Sequence, residues 1–315
     1  MRKRPVFPSS LTQILASVDL PSRLRIARQF IPSKKEFKQV EGFNDDPMCE
    51  EGISGDHAGE FVHKYPDKIL VLASKHCPIL CRFCTRKRIT YDQPLSAGEI
   101  PPSPSQSQDR REGRPHRINL ERIVRYMEAH VEIQEVIFSG GDPFMLSNQQ
   151  IDEMLSVFIK LPRVKKIRFH SRAATILPGR FTPQLFSVFK RAMQKYPEKK
   201  ITLVIHANHP AELSAGAISV IRQFFDLNVA VYCQTVLLRN VNDQVSILAR
   251  LFEKLAQAGI RPYYLHQLDR ITGSAHFEVD IDRGIEIVRQ LQKILPRCLV
   301  PAYVTDGPEG KKKIL

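Results

Sequence analysis

From Lys68 onward the chain keeps a rhythm that few folds accommodate: short apolar, β-rich runs alternate with longer segments of helical period. The runs are ILVLAS (69–74), VIFSG (136–140), IRFHS (167–171), TLVIH (202–206), VAVYCQ (229–234) and RPYYLH (261–266). Between them lie NLERIVRYMEAH, NQQIDEMLSVFIKL, TPQLFSVFKRAMQKY, ELSAGAISVIRQFF and QVSILARLFEKLAQAG, each with apolar residues at three- and four-residue spacing. A seventh run, LVPAYV, follows the helical segment IDRGIEIVRQLQKIL. This alternation predicts an α/β fold whose parallel strands are joined by right-handed crossovers, as an open doubly wound sheet or a barrel.

Two stretches stand outside the rhythm. Residues 1–60 hold one helical segment, SLTQILASVDLPSRLRIARQF, interrupted at Pro21, and then an acidic loop, FNDDPMCEEGISGD. They predict a helical extension appended to a catalytic domain at 61–315. Residues 92–118, DQPLSAGEIPPSPSQSQDRREGRPHRI, lack apolar periodicity and read as a flexible surface insertion.

Composition excludes several classes. With 315 residues, 43% of them hydrophobic, the chain can bury a large core and is neither fibrous nor disordered. No apolar run approaches the roughly 20 residues that span a bilayer, and the N-terminus has no continuous apolar stretch after its basic start. The expected address is cytoplasmic, with no membrane partner. The net charge of +14 comes without an aromatic-interleaved basic motif or zinc-finger spacing, so direct nucleic-acid binding is set aside.

The unusual polar residues fall just after the strands. Cys77, Cys81 and Cys84 follow the first run, SGGD (139–142) the second, HSR (170–172) the third and HANHP (206–210) the fourth. Gln234 ends the fifth and HQLD (266–269) closes the sixth. In parallel β/α architectures the C-terminal strand ends form the active-site face, so these groups should converge. The spacing C-x3-C-x2-C puts three thiolates in one short loop, suited to an iron-sulfur cubane with one iron lacking a protein ligand. Zinc would need a fourth ligand, His76 or a distant residue. In a reducing compartment a disulfide framework is disfavoured, and Cys49, Cys233 and Cys298 read as isolated thiols.

The cysteine spacing also resembles that of the radical S-adenosylmethionine superfamily, and the likeness extends from His63 to the C-terminus. HKYPDKILVL, CRFCTRKR, FSGGDP, HSRAATILPGR, NHPAE, QTVLLRNVND, RPYYLHQLDRITGSAHF and LVPAYVTDGP resemble the lysine 2,3-aminomutase family, most of all its branch that makes β-lysine for translation elongation factor P. The resemblance implies a partial, open (β/α)6 barrel. It implies three cofactors: a [4Fe-4S] cluster on Cys77, Cys81 and Cys84, S-adenosylmethionine, and pyridoxal 5′-phosphate.

By the same resemblance, Ser139, Gly140, Gly141, Asp142, Arg172, His206 and Gln234 contact S-adenosylmethionine. Lys313 carries pyridoxal phosphate, counted without a gap from Asp306, with Lys311 and Lys312 as alternatives because EGKK replaces a glycine run. Lys64, Tyr65 and Lys68 contact that cofactor. Arg86 takes the carboxylate of the substrate, L-lysine, as a guanidinium can with two parallel hydrogen bonds. Asp269 and Asp306 hold its far ammonium; two carboxylates there favour a cation and repel a γ-carboxylate. The implied reaction moves the amino group from Cα to Cβ after a deoxyadenosyl radical removes a Cβ hydrogen.

The resemblance further implies a reducing electron-donor protein and a functional link to a β-lysyl ligase and elongation factor P. Gln244 stands where catabolic relatives place a zinc cysteine, and the chain ends two residues after Lys313, so no zinc is expected. The tetramer tied to that tail is thereby in doubt, which leaves room for some other homo-oligomer. Two alternatives remain at this level: an aminomutase making free β-lysine as a metabolite, and a catalytically inactive iron-sulfur binding or sensor protein.

Overall fold

The computed structural model describes residues 9–50, 59–87, 118–307 and 309–315. The segment expected to be an insertion, 92–118, lies outside the described residues apart from its last position. All seven apolar runs form strands. In chain order the strands are β1 (Phe61–Tyr65), β2 (Lys68–Ser74), β3 (Glu135–Gly140), β4 (Lys166–Ser171), β5 (Lys200–His206), β6 (Ala230–Val236), β7 (Arg261–His266), β8 (Ala302–Thr305) and β9 (Lys312–Lys313). They make one sheet in sequential order, parallel from β2 to β8, with β1 and β9 added antiparallel at the two edges.

Helices fill the crossovers that parallel pairing requires. They are α3 (Leu120–Ala129), α4 (Asn148–Ile159), the short α5 (Ala173–Ile176), α6 (Pro183–Lys195), α7 (Ala215–Asp226), α8 (Val245–Gln257) and α9 (Ile281–Ile294). Most start where a side chain takes the orphan amides of the first turn: Asn119 for α3, Ser147 with Gln150 in a capping box for α4, Thr182 before Pro183 for α6, Ser214 for α7 and Asp280 for α9.

The sheet has two unlike faces. Val136 and Phe138, Ile167 and Phe169, Ile201, Leu203 and Ile205, Leu265 and Tyr303 point outward into one buried core under the helices. Phe144, Phe169, Phe189 and Phe224 pack there with ring centroids 5.3 to 6.3 Å apart. Each such ring contributes roughly 1.5–3 kcal/mol by leaving water. The alternate residues, among them Ser139, His170, His206, Gln234, Tyr264 and His266, therefore share the inner face.

Backbone pairing does not close the sheet into a cylinder, in agreement with the partial open barrel. Side chains bridge the gap between its edges instead. Lys64 on β1 donates to the Gly307 carbonyl, and the Tyr65 hydroxyl accepts from the Lys311 amide at 2.7 Å.

The N-terminal segment is more integrated than an appendage. It forms two helices, α1 (Ser9–Ala16) and α2 (Leu20–Arg28), because Asp19 caps the second and Pro21 sits in its first turn, where no amide is needed. Ile14, Ile26 and Phe30 bury against Ile79 of the cysteine loop and Ile176. Arg82 donates its amide to the Gln29 carbonyl at 2.9 Å and its guanidinium to Glu36. Asn44 joins the loop after β7 through Arg270 and Thr272. No helix among the described residues is long and apolar enough to cross a membrane.

Candidate active site

The cysteine loop leaves the end of β2 and is held there by the loop after β3. The Gly141 amide donates to the Ser74 carbonyl at 2.6 Å and the Asp142 amide to His76 at 2.7 Å. Only glycine permits this approach: Gly140 has φ +99°, and a Cβ on Gly141 would lie 2.3 Å from the His76 carbonyl oxygen. The observed work of the glycine pair is thus to seat the cysteines.

Cys77, Cys81 and Cys84 are partly buried. Burial, followed by the neighbouring thiols, pushes Cys77 well above its ordinary range and Cys84 to about 11. Cys77 and Cys84, two buried thiols that resist ionising, suit a strongly cationic centre, which deprotonates its ligands. No three of the described His, Cys, Asp and Glu residues converge on a position for a single ion. A polynuclear cluster, in which each thiolate takes a different iron, does not require such convergence.

Arg172 reaches this loop from the end of β4, donating to the Cys81 sulfur at 2.9 Å. Its other terminal nitrogen donates to Gln29 at 2.6 Å and to Glu212 at 2.7 Å. Asp142 does not face the interior of the barrel with free oxygens. It accepts from the Ser171 hydroxyl and from the amides of Phe144, Arg172 and Ala173, stapling the loops after β3 and β4. These bonds engage both carboxylate oxygens of Asp142, the residue that the resemblance places at S-adenosylmethionine.

Ser139, His206 and Gln234 line the inner face as expected, and His206 and Gln234 are register partners. Burial and the Arg172 charge hold His206 down at about 3, and burial with Arg168 and Lys311 keeps His170 and His266 well below the ordinary imidazole range. All three are neutral near pH 7. Buried Nε2 of His170, Nε2 of His266, Nε of Arg172 and Oδ1 of Asp269 have no hydrogen-bond partner among the described residues. Buried polar atoms are rarely left so, which marks the interior as a place where ligands complete the bonding.

The far side of the interior is acidic. Asp269 and Asp306 border a cavity of about 560 Å³ together with Arg239, Gln267 and Thr305. Burial first and Asp306 second push Asp269 up to about 7. Lys311 lays its ammonium 2.9 Å from Asp306 and 4.6 Å from the Tyr264 ring centroid. Arg86 donates to both oxygens of Glu50, a residue of the N-terminal segment.

Near this end lie the groups expected at pyridoxal phosphate. Lys68 pairs with Asp67 at 3.1 Å and stands 5.1 Å over the Tyr65 ring. Lys313 is paired across β9 with Val304, which is itself paired with His266, so all three share the inner face. Lys312 faces the other way and holds Glu309. Lys313 is exposed and makes no ion pair among the described residues.

Sequence reasoning had missed Gln29, Glu50, Glu212 and Tyr264. Glu212, in NHPAE, and Tyr264, in RPYYLH, sit beside strand-end motifs, but all four act across more than 30 positions of chain.

A family model described as the radical SAM superfamily matches residues 71–213, from β2 through the segment after β5. L-lysine 2,3-aminomutase of Escherichia coli is 33% identical over 91% of this chain and 76% of its own length. The Methanococcus maripaludis L-lysine 2,3-aminomutase is 33% identical over 98% of this chain and 66% of its length. Among solved structures, a radical SAM methyltransferase from Sphaerobacter thermophilus has 14% identity and a TM-score of 0.43, covering 61% of this chain and 60% of that one. The aminomutase likeness spans the cysteine loop, the strand ends and the acidic end alike. The chain belongs to the lysine 2,3-aminomutase family of radical SAM enzymes.

Proposed function

We propose that this enzyme converts L-lysine to β-lysine with a [4Fe-4S] cluster, S-adenosylmethionine and pyridoxal phosphate. The observation that carries the reading is the acidic end of the interior, where Asp306 already holds a lysine ammonium, that of Lys311, against the Tyr264 ring. A pocket that seats one lysine ε-ammonium between carboxylates and an aromatic face suits another, and repels a substrate ending in a carboxylate.

In this reading Cys77, Cys81 and Cys84 hold the cluster, and the unpartnered Nε of Arg172 with Ser139, His206 and Gln234 faces S-adenosylmethionine. Together the bound cofactors supply a carbon radical and an amino-group carrier. The chain's own residues do the rest. Arg86 orients the substrate carboxylate, displacing Glu50; Asp269 and Asp306 fix the ammonium; and the neutral histidines keep charge away from the reacting carbons. Lys313, on the inner face and without an ion pair among the described residues, is the amine we assign to pyridoxal phosphate, with Lys64, Tyr65 and Lys68 beside it. The product is proposed to reach translation elongation factor P through a β-lysyl ligase, as the motif resemblance suggests.

Anaerobic reconstitution with iron, sulfide and pyridoxal phosphate, then incubation with L-lysine, S-adenosylmethionine and dithionite, should yield β-lysine. Full cofactor loading without β-lysine would overturn the activity. Borohydride should trap a pyridoxyl adduct that Lys313→Ala abolishes; an adduct surviving in that variant moves the attachment to Lys311.

A further inference from the structure

Beneath the cysteine loop lies a closed polar network to which four separate segments contribute. Glu212, fully buried, accepts from Arg172 at 2.7 Å through one oxygen. Through the other it accepts from the Gln29 amide nitrogen at 2.9 Å and the Asn208 backbone amide at 3.1 Å. Gln29, also fully buried, accepts from Arg172 at 2.6 Å and from the Asn208 side chain at 2.9 Å. The guanidinium lies 4.6 Å from the Phe30 ring centroid and 5.9 Å from that of Phe83. One of its terminal nitrogens is thereby fixed on Glu212 and Gln29, and the other is aimed at the Cys81 sulfur at 2.9 Å.

A buried arginine would satisfy its charge with any carboxylate; nothing about stability alone requires its free nitrogen to point at a thiol. We propose that Glu212 and Gln29 are positioning residues that hold Arg172 on the Cys81 sulfur and so set the reduction potential of the cluster. The proposal rests on the cluster reading above and makes Gln29, the residue that ends α2, part of the redox site.

The sign follows from charge. Reduction adds one electron to [4Fe-4S]2+ to give [4Fe-4S]+, with no bond made or broken, so the reduced form carries one more negative charge. A cation or donor on a ligand sulfur favours that form. Glu212 offsets the Arg172 charge, and the pair is neutral as a whole. Removing only the Glu212 charge leaves an uncompensated cation at the cluster, whereas removing the donor leaves the sulfur bare.

The test is a midpoint potential, read by anaerobic dithionite titration with electron paramagnetic resonance of the reduced, reconstituted enzyme. Glu212→Gln should favour the reduced cluster about tenfold, a rise of about 59 mV for a one-electron couple. The double variant Glu212→Gln with Arg172→Gln should fall below the wild-type potential. Gln29→Leu, which frees the guanidinium to move, should lower it in the same direction. Iron and sulfide content define which variants are compared, so Gln29→Leu serves if the buried glutamate variant does not fold. Loaded variants within twofold of the wild-type equilibrium would overturn the proposal while leaving the aminomutase reading intact. A wild-type chain that takes up no cluster would sink both.

Discussion

Replacing Asp269 by asparagine removes a carboxyl that burial, with Asp306 adding to it, raises from 3.8 to about 7. The shift is roughly three units, or about 4 kcal/mol at 1.36 kcal/mol per unit, a ceiling that residual solvent contact lowers. Because the folded form holds its proton more tightly than the unfolded one, the folded state binds more protons throughout this window. Stability therefore falls as pH rises from about 3.8 through about 7 and is level beyond it. Asp269→Asn keeps the shape and loses the ionisation. Denaturant unfolding of both proteins between pH 5 and 8 should show the wild type losing stability relative to the variant by about 1–3 kcal/mol. In the proposed site, L-lysine should reverse the preference, since its ammonium, with an ordinary pKa of about 10.4, is best met by the ionised carboxylate. Lysine affinity of the wild type should tighten as pH rises through 7, and that of the variant should not. Parallel stability curves for the two proteins would refute the reasoning.

Two further expectations concern the loops. Gly141→Ala places a Cβ at 2.3 Å from the His76 carbonyl and must move the start of the cysteine loop, at about 1–3 kcal/mol; the reconstituted variant should hold markedly less iron per chain than wild type, and full loading would refute the seating role. Glu50→Gln weakens the carboxylate grip on Arg86, so L-lysine should bind several-fold more tightly, as read by calorimetry; unchanged affinity would show that Arg86 does not exchange Glu50 for the substrate.

Strand positions were legible because each outward-facing residue had to be apolar and each run had to be short, as in Phe138 between Val136 and Gly140. The convergence of polar strand ends was equally legible, since parallel pairing sends every C-terminal end to one side. The seating role of SGGD was not legible, because the loop-to-loop approach of Gly141 to His76 depends on where two crossovers meet. The break between α1 and α2 was visible at Pro21, but the docking of the N-terminal segment was not, because Gln29 meets Glu212 across 183 positions.

By itself, the sequence determined the alternating strands and helices and the three thiols in one loop, because each depends on local spacing or on residue type. The tertiary structure alone decided which partner each charge meets. Arg172 could have found any carboxylate, and Arg86 any anion; packing brought Glu212 and Gln29 to one and Glu50 to the other. Lys311, Lys312 and Lys313 are identical in type and adjacent in sequence, yet the pleat of β9 sends Lys312 away from the interior and Lys313 onto its inner face. Charge chooses its partner by distance, and distance between remote residues is set by the fold.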